Sequence, residues 1–212
     1  MKTDDLISLL AADPAPEPNT VTRRFTVALA LGMALAFLLM VVTHGIRPDL
    51  ARATLEAMFW GKLIFAGSLA FAALIATQRL GHPGVRLGGL SLALAAPVLI
   101  LWLVAVVVLV DAAPAQRSHL ILGETWRTCA FSIAMISLPL FMSTLWALRG
   151  LAPTDLTLAG ASAGLAAGSL STMVYALHCP ESGAPFIAFW YVLGIAIPTL
   201  VGAMLGPRVL RW

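Results

Sequence analysis

The stretch "LGGLSLALAAPVLILWLVAVVVLV", Leu87 to Val110, contains no charged side chain in 24 residues and settles the class of fold. A helix needs about 20 apolar residues to cross the hydrocarbon core of a bilayer, and in lipid every backbone amide must find its partner within the segment. A run of this length is read as a transmembrane helix. Five further apolar runs recur along the chain, at Phe25–Thr43, Met58–Thr77, Thr128–Leu148, Leu156–Leu177 and Phe186–Leu205. Polar and breaker clusters such as "HGIRPDLARA", "QRLGHPGVR" and "RGLAPTD" separate them. Composition agrees: 60% of residues are hydrophobic and only 11% charged, with mean hydropathy +0.93. A soluble domain carries about a quarter of its residues as charges. The expectation is an all-α polytopic membrane protein, a bundle of six transmembrane helices.

An even number of spans places both termini on one side of the bilayer. Lys2, Arg23, Arg24, Arg79, Arg86, Arg149, Arg208 and Arg211 fall on the terminal face, eight against the five of Arg47, Arg52, Lys62, Arg117 and Arg127. Cytoplasmic loops collect Lys and Arg, so both termini are expected inside, in a bacterial inner membrane crossed several times. Trp60, Trp126, Trp190 and Tyr191 then lie toward the outer ends, Trp146 and Trp212 toward the inner. The pI near 9.3 does not imply nucleic acid, because the cations are scattered and form no stripe for a phosphate backbone. The bilayer is the expected partner of this surface.

Residues 1–24 form a cytoplasmic tail, and residues 25–212 the transmembrane domain. In "MKTDDLISLLAADPAPEPNT", Thr3 or Asp4 can cap a short helix with Leu6, Leu9 and Leu10 on one face, Ile7 beside them and Asp5 in its first turn. Pro14, Pro16 and Pro18 end that helix and make a stiff spacer. A tethered acidic helix with a leucine face is a partner-binding element.

The catalytic motifs fail on inspection, and no enzyme is expected. "GASAG", Gly160 to Gly164, has the G-x-S-x-G pattern, but Ser162 falls inside a span with no histidine on a neighbouring one. The spans carry almost no ionisable group, as a transporter would require; Lys62 lies close enough to the outer end of its span to snorkel. A small six-helix transporter of a metal ion or small solute remains the alternative reading. Gly160, Gly164 and Gly168, with Gly202 and Gly206, form small-residue ridges for close helix packing.

The remaining chemistry lies in "HCPESGAP", His178 to Pro185. Cys179 there and Cys129 at the start of the fourth span are the only two cysteines, and both fall at the outer face. Two cysteines allow one disulfide and no relay, which indicates a sensor or a structural bridge. Thiolates beside His178, with His119 and Glu181 as accessory ligands, also suit a transient soft metal ion, although no C-x-x-C or H-x-x-x-H spacing is present. No obligatory cofactor is expected.

The stretches "MKTDDLI" (Met1 to Ile7), "FWGKLIF" (Phe59 to Phe65), "TWRTC" (Thr125 to Cys129), "YALHCPES" (Tyr175 to Ser182) and "LGPRVLRW" (Leu205 to Trp212) resemble the NrsF-type family, negative regulators of sigma factor F. The resemblance runs over essentially the whole chain. It implies a six-span inner-membrane anti-sigma factor that sequesters an extracytoplasmic-function sigma factor through its N-terminal segment. Its sigma-binding residues would be Asp4, Asp5 and Leu6, extended by the helix face to Leu9 and Leu10. Cys129 and Cys179 would respond to metal or oxidative stress.

Overall fold

The computed structural model describes residue 3 and residues 18–85 and 87–211, with side chains placed from residue 22 onward. All of the regular structure among these residues is helical. In chain order the elements are α1 (Pro18–Thr43), a single turn α2 (Leu50–Ala53), α3 (Ala57–Leu80), α4 (Leu90–Asp111), α5 (Pro114–Leu122), α6 (Trp126–Leu148) and α7 (Leu156–Tyr175). The short α8 (Ala184–Phe186) then runs through a π-helical stretch, Ile187–Tyr191, into α9 (Val192–Val209).

Every expected apolar run is a helix, with ends shifted by a few residues. The largest shift is at the start: α1 begins at Pro18, inside the expected spacer. Proline suits the first helical position because its missing N–H has no intrahelical partner there. The leucine-faced helix, with Asp4, Asp5, Leu6, Leu9 and Leu10, lies outside the described residues.

Among the described residues five helical runs are long and apolar enough to cross a membrane: Thr22–Thr43, Ala57–Leu80, Leu90–Asp111, Pro114–Leu148 (α5 and α6 together) and Ala184–Val209. Helix α7 is not among them, although it spans 20 residues. Its sequence, "LTLAGASAGLAAGSLSTMVY", is made largely of Gly, Ala, Ser and Thr, which are weakly apolar. The reason is its place in the molecule. Helix α7 packs against α9 along most of its length, and against α3 and α6 on its other sides; α1 lies over α6. Large side chains would hold these neighbours away. A Cβ at Gly164 would run into the carbonyl oxygen of Pro198, so the α7 and α9 backbones meet directly. The α7 hydroxyls are satisfied locally: Ser162 donates to Ala159 O at 2.9 Å and Thr172 to Gly168 O at 2.7 Å. Ser162 thus sits in a helix–helix seam, not in a hydrolase elbow.

Helix α4 is the opposite case. It touches α3 and the start of the last helical run, and of its residues only Ala105 is buried. Leu99, Leu103 and Val110 are more than 60% exposed, the pattern of a helix whose solvent is lipid.

Candidate functional site

At one end of the bundle the start of α6, the turn after α7 and the turn after α1 meet. Cys129 lies in the first turn of α6 and Cys179 four residues beyond the end of α7. Both are free thiols with no exposed surface. Fifty residues apart in sequence, they lie close enough that each thiol shifts the titration of the other. The sequence placed them together at a surface; the structure places them beneath it. They join the main core because Tyr175, Tyr191, Phe186 and Ile187 close over them. The π-helical stretch turns Tyr191 inward, where its fully buried hydroxyl lies beside the Cys179 sulfur without making a hydrogen bond of standard geometry. Thr125 Oγ1 is 4.0 Å from the same sulfur.

The Cys179 thiol has its pKa lowered to about 6. The neighbouring Cys129 thiol is the largest cause, opposed by burial; the Tyr191 hydroxyl, the Glu181 backbone and the Lys62 ammonium add to the lowering.

The other expected ligands do different work. His178 turns away from the thiols: its Nδ1 donates to Gly45 O at 3.0 Å, and its ring packs edge-on against His44, with centroids 5.1 Å apart. His44 in turn contacts Ser132 Oγ on α6 at 2.8 Å. Burial, and then the nearby His178, hold the His44 pKa below its ordinary 6.5. His119 is exposed on α5. The Glu181 carboxylate accepts from the amides of Glu124 at 2.7 Å and Thr125 at 3.3 Å. Thr125, the residue that opens α6, supplies no side-chain cap of its own, so Glu181 caps that helix from across the fold. The approach requires Gly123: its φ is +56°, and a Cβ there would press on the Glu181 carboxylate and the Phe186 ring. Among the described residues no three of His, Cys, Asp and Glu are grouped to hold a metal ion. The pair is therefore a dithiol, and any soft cation here would have two thiolates and no third side chain from that set.

Two basic residues not anticipated at this site organise it. Arg47 forms a bidentate pair with Asp49 (2.7 and 2.6 Å), which holds the Asp49 carboxyl down at about 2. The Arg47 backbone N–H donates to Leu177 O at 3.2 Å and its guanidinium to Cys179 O at 3.4 Å. Lys62 does not snorkel. It is 1% exposed, and its Nζ donates to Cys179 O at 2.9 Å and to Glu181 O at 3.2 Å. The signal for Lys62 was its position inside an apolar helix, where an ionisable side chain is a functional candidate by default. A cavity of about 530 Å³ opens beside it between α3 and α4, with Met58, Ile64, Ile100 and Val104 among its apolar walls.

A helical protein with five runs long and apolar enough to cross a membrane among its described residues is compatible with a membrane protein, and at one end a turn carrying one of two buried thiols clasps a neighbouring helix end. The chain matches the family described as "Negative regulator of sigma F" (NrsF) over residues 10–212, and it belongs to that family. It is 46% identical over 213 residues to the probable anti-sigma-F factor NrsF of Azospira oryzae, covering all of both chains. It is 40% identical over 220 residues to the anti-sigma-F factor NrsF of Caulobacter vibrioides, again covering all of both. No solved structure matches. These relatives are regulators, and the chain is not an enzyme.

Proposed function

We propose that this chain is an anti-sigma factor that keeps an extracytoplasmic-function sigma factor inactive at the bacterial inner membrane and releases it when the Cys129–Cys179 pair reacts. On this reading α7 completes six crossings, both termini are cytoplasmic, and the dithiol end faces the periplasm. The N-terminal segment, through Leu6, Leu9 and Leu10 with Asp4 and Asp5, holds the sigma factor.

The observation that carries the reading is the clasp between the cysteine turn and α1. His178 and Arg47 tie the turn after α7 to the turn after α1, with Gly45 O and Leu177 O as acceptors. Helix α1 leads directly into the N-terminal segment. A change at Cys179 therefore bears on the helix that carries the sigma-binding element. Oxidation would take two electrons and two protons from the thiols, form the S–S bond and reduce hydrogen peroxide to two waters. A soft divalent cation would instead displace the two thiol protons. Either event replaces two free neighbouring thiols with a bonded pair of different separation and polarity. A shift of about 1.4 kcal/mol between the holding and releasing states changes sigma occupancy tenfold.

The test is co-purification of a sigma factor with the detergent-solubilised full chain, before and after peroxide or cadmium, in wild type, Cys129→Ser and Cys179→Ser. The wild type should hold sigma and release it on treatment, while each serine variant holds it throughout. A chain that never retains a sigma factor overturns the partner. Serine variants that release normally overturn the sensor.

A further inference from the structure

Lys62 is the sixth residue of α3, flanked by "FWG" before and "LIF" after. A role in packing alone would be met there by Leu or Met. A lysine buried in a membrane-spanning helix must instead be compensated. Among the described residues the one ion pair is Arg47–Asp49, so Lys62 has no carboxylate partner. Two of its three N–H donors go to the carbonyls of Cys179 and Glu181, two residues apart in one turn, and its Nζ lies 5.5 Å from the Phe59 ring centroid. Its charge is thus held by backbone oxygens immediately beside a thiol.

The other groups facing this turn do not take its place. Arg47 bonds the same carbonyl at a longer 3.4 Å and is engaged by Asp49. The Glu181 carboxylate is committed to the α6 amides, and Glu56 stands at the start of α3. Tyr175, Tyr191 and Cys129, the remaining titratable neighbours, are uncharged in their ordinary state and buried.

We propose that Lys62 is the positioning residue of the dithiol: one ammonium fixes the Cys179–Glu181 turn through both carbonyls, and its charge stabilises the Cys179 thiolate, the form that attacks electrophiles and binds soft cations. This rests on the reading of the pair as a reactive site, and not on sigma binding.

The test measures the rate at which methyl methanethiosulfonate modifies Cys179 in the full-length detergent-solubilised chain at pH about 5, below the thiol pKa, where the rate follows the thiolate fraction, located by peptide mass spectrometry. The thiolate attacks the sulfenyl sulfur, forms a mixed disulfide and expels methanesulfinate. Lys62→Met should slow modification about tenfold, as a one-unit rise in thiol pKa would. Lys62→Gln, which keeps a donor but no charge, should be as slow, and Lys62→Arg should recover most of the rate. A strut of no electrostatic consequence gives the opposite sign, because a loosened turn exposes Cys179 and speeds the reaction. An unchanged or faster rate in Lys62→Met, or a wild-type rate in Lys62→Gln, overturns the proposal; should Lys62→Met not fold, Lys62→Gln decides it alone. Failure of the sigma reading appears separately, as serine variants that release sigma normally while Lys62→Met still reacts slowly.

Discussion

Replacing Glu181 separates two roles for one carboxylate. As a cap it serves the amides of Glu124 and Thr125; as a ligand it would serve a cation. Glu181→Ala leaves both amides without their acceptor. The 2.7 Å bond is charge-assisted and belongs to the class worth about 1.5–3 kcal/mol. The 3.3 Å bond is long and adds about 0.5 kcal/mol. Glu124 is exposed, so water replaces part of what is lost, and a net cost of about 1–2 kcal/mol follows. Glu181→Gln keeps an acceptor oxygen and loses the charge facing the helix N-terminus, about 0.5–1 kcal/mol. Because the cap ties the Cys179 turn to the helix that carries Cys129, the same free energy bears on how often the thiols meet. At about 1.4 kcal/mol per decade, Glu181→Ala should slow disulfide formation about five- to thirtyfold, and Glu181→Gln about two- to fivefold. The assay is the rate of Cys129–Cys179 bridging under a fixed mild oxidant, read as loss of alkylatable thiol, beside thermal unfolding of the reduced chain. Equal damage from Gln and Ala, or none from Ala, refutes the cap. Loss of cadmium binding in Glu181→Gln with stability intact would return the carboxylate to the role of ligand.

Three further outcomes follow from the packing, the clasp and the tail. Gly164→Ala places a methyl against the Pro198 carbonyl and should cost about 1–3 kcal/mol or more in thermal or denaturant unfolding, whereas Gly61→Ala, with open space around it, should not. His44 has a lowered folded-state pKa, so its contribution is complete above 6.5 and is lost as pH falls through 6.5 and on through the folded-state value. Native-state hydrogen exchange at the turn after α1 should accelerate across that window, and His44→Gln should remove the dependence. Leu6→Ala with Leu10→Ala should release target transcription constitutively, since each leucine buried against a partner is worth roughly 1.5–3 kcal/mol; unchanged repression would make the tail inert.

The helices were legible because a bilayer imposes length and apolarity directly on the sequence, as in Leu87–Val110. Cys129 and Cys179 were legible as a pair because alternating helix direction returns the start of α6 and the end of α7 to one end of the bundle. The partners of that pair were not. His178 carries the ring chemistry of a ligand, yet rotation at the turn sends it to Gly45 O. Glu181 has the charge of a ligand, yet the amides opening α6 claim it. Lys62 and Arg47 look like membrane-edge cations until tertiary structure brings the Cys179 carbonyl to them. Spacing along one helix carries no information about which carbonyls a distant turn will present. The low apolarity of α7 was a stronger hint than it looked: a helix poor in large side chains is one that neighbours surround.

That arrangement has a consequence for biogenesis. On the six-crossing reading, α7 emerges from the ribosome before the helix that covers its glycine face, and its own side chains favour lipid only weakly. It cannot settle as an independent insertion unit. It must wait beside α3 and α6 until α9 arrives, and the turn that joins α7 to the final helical run is the cysteine turn. On that same reading the last insertion event brings the two thiols together, so that a chain caught partway through membrane integration lacks the pair.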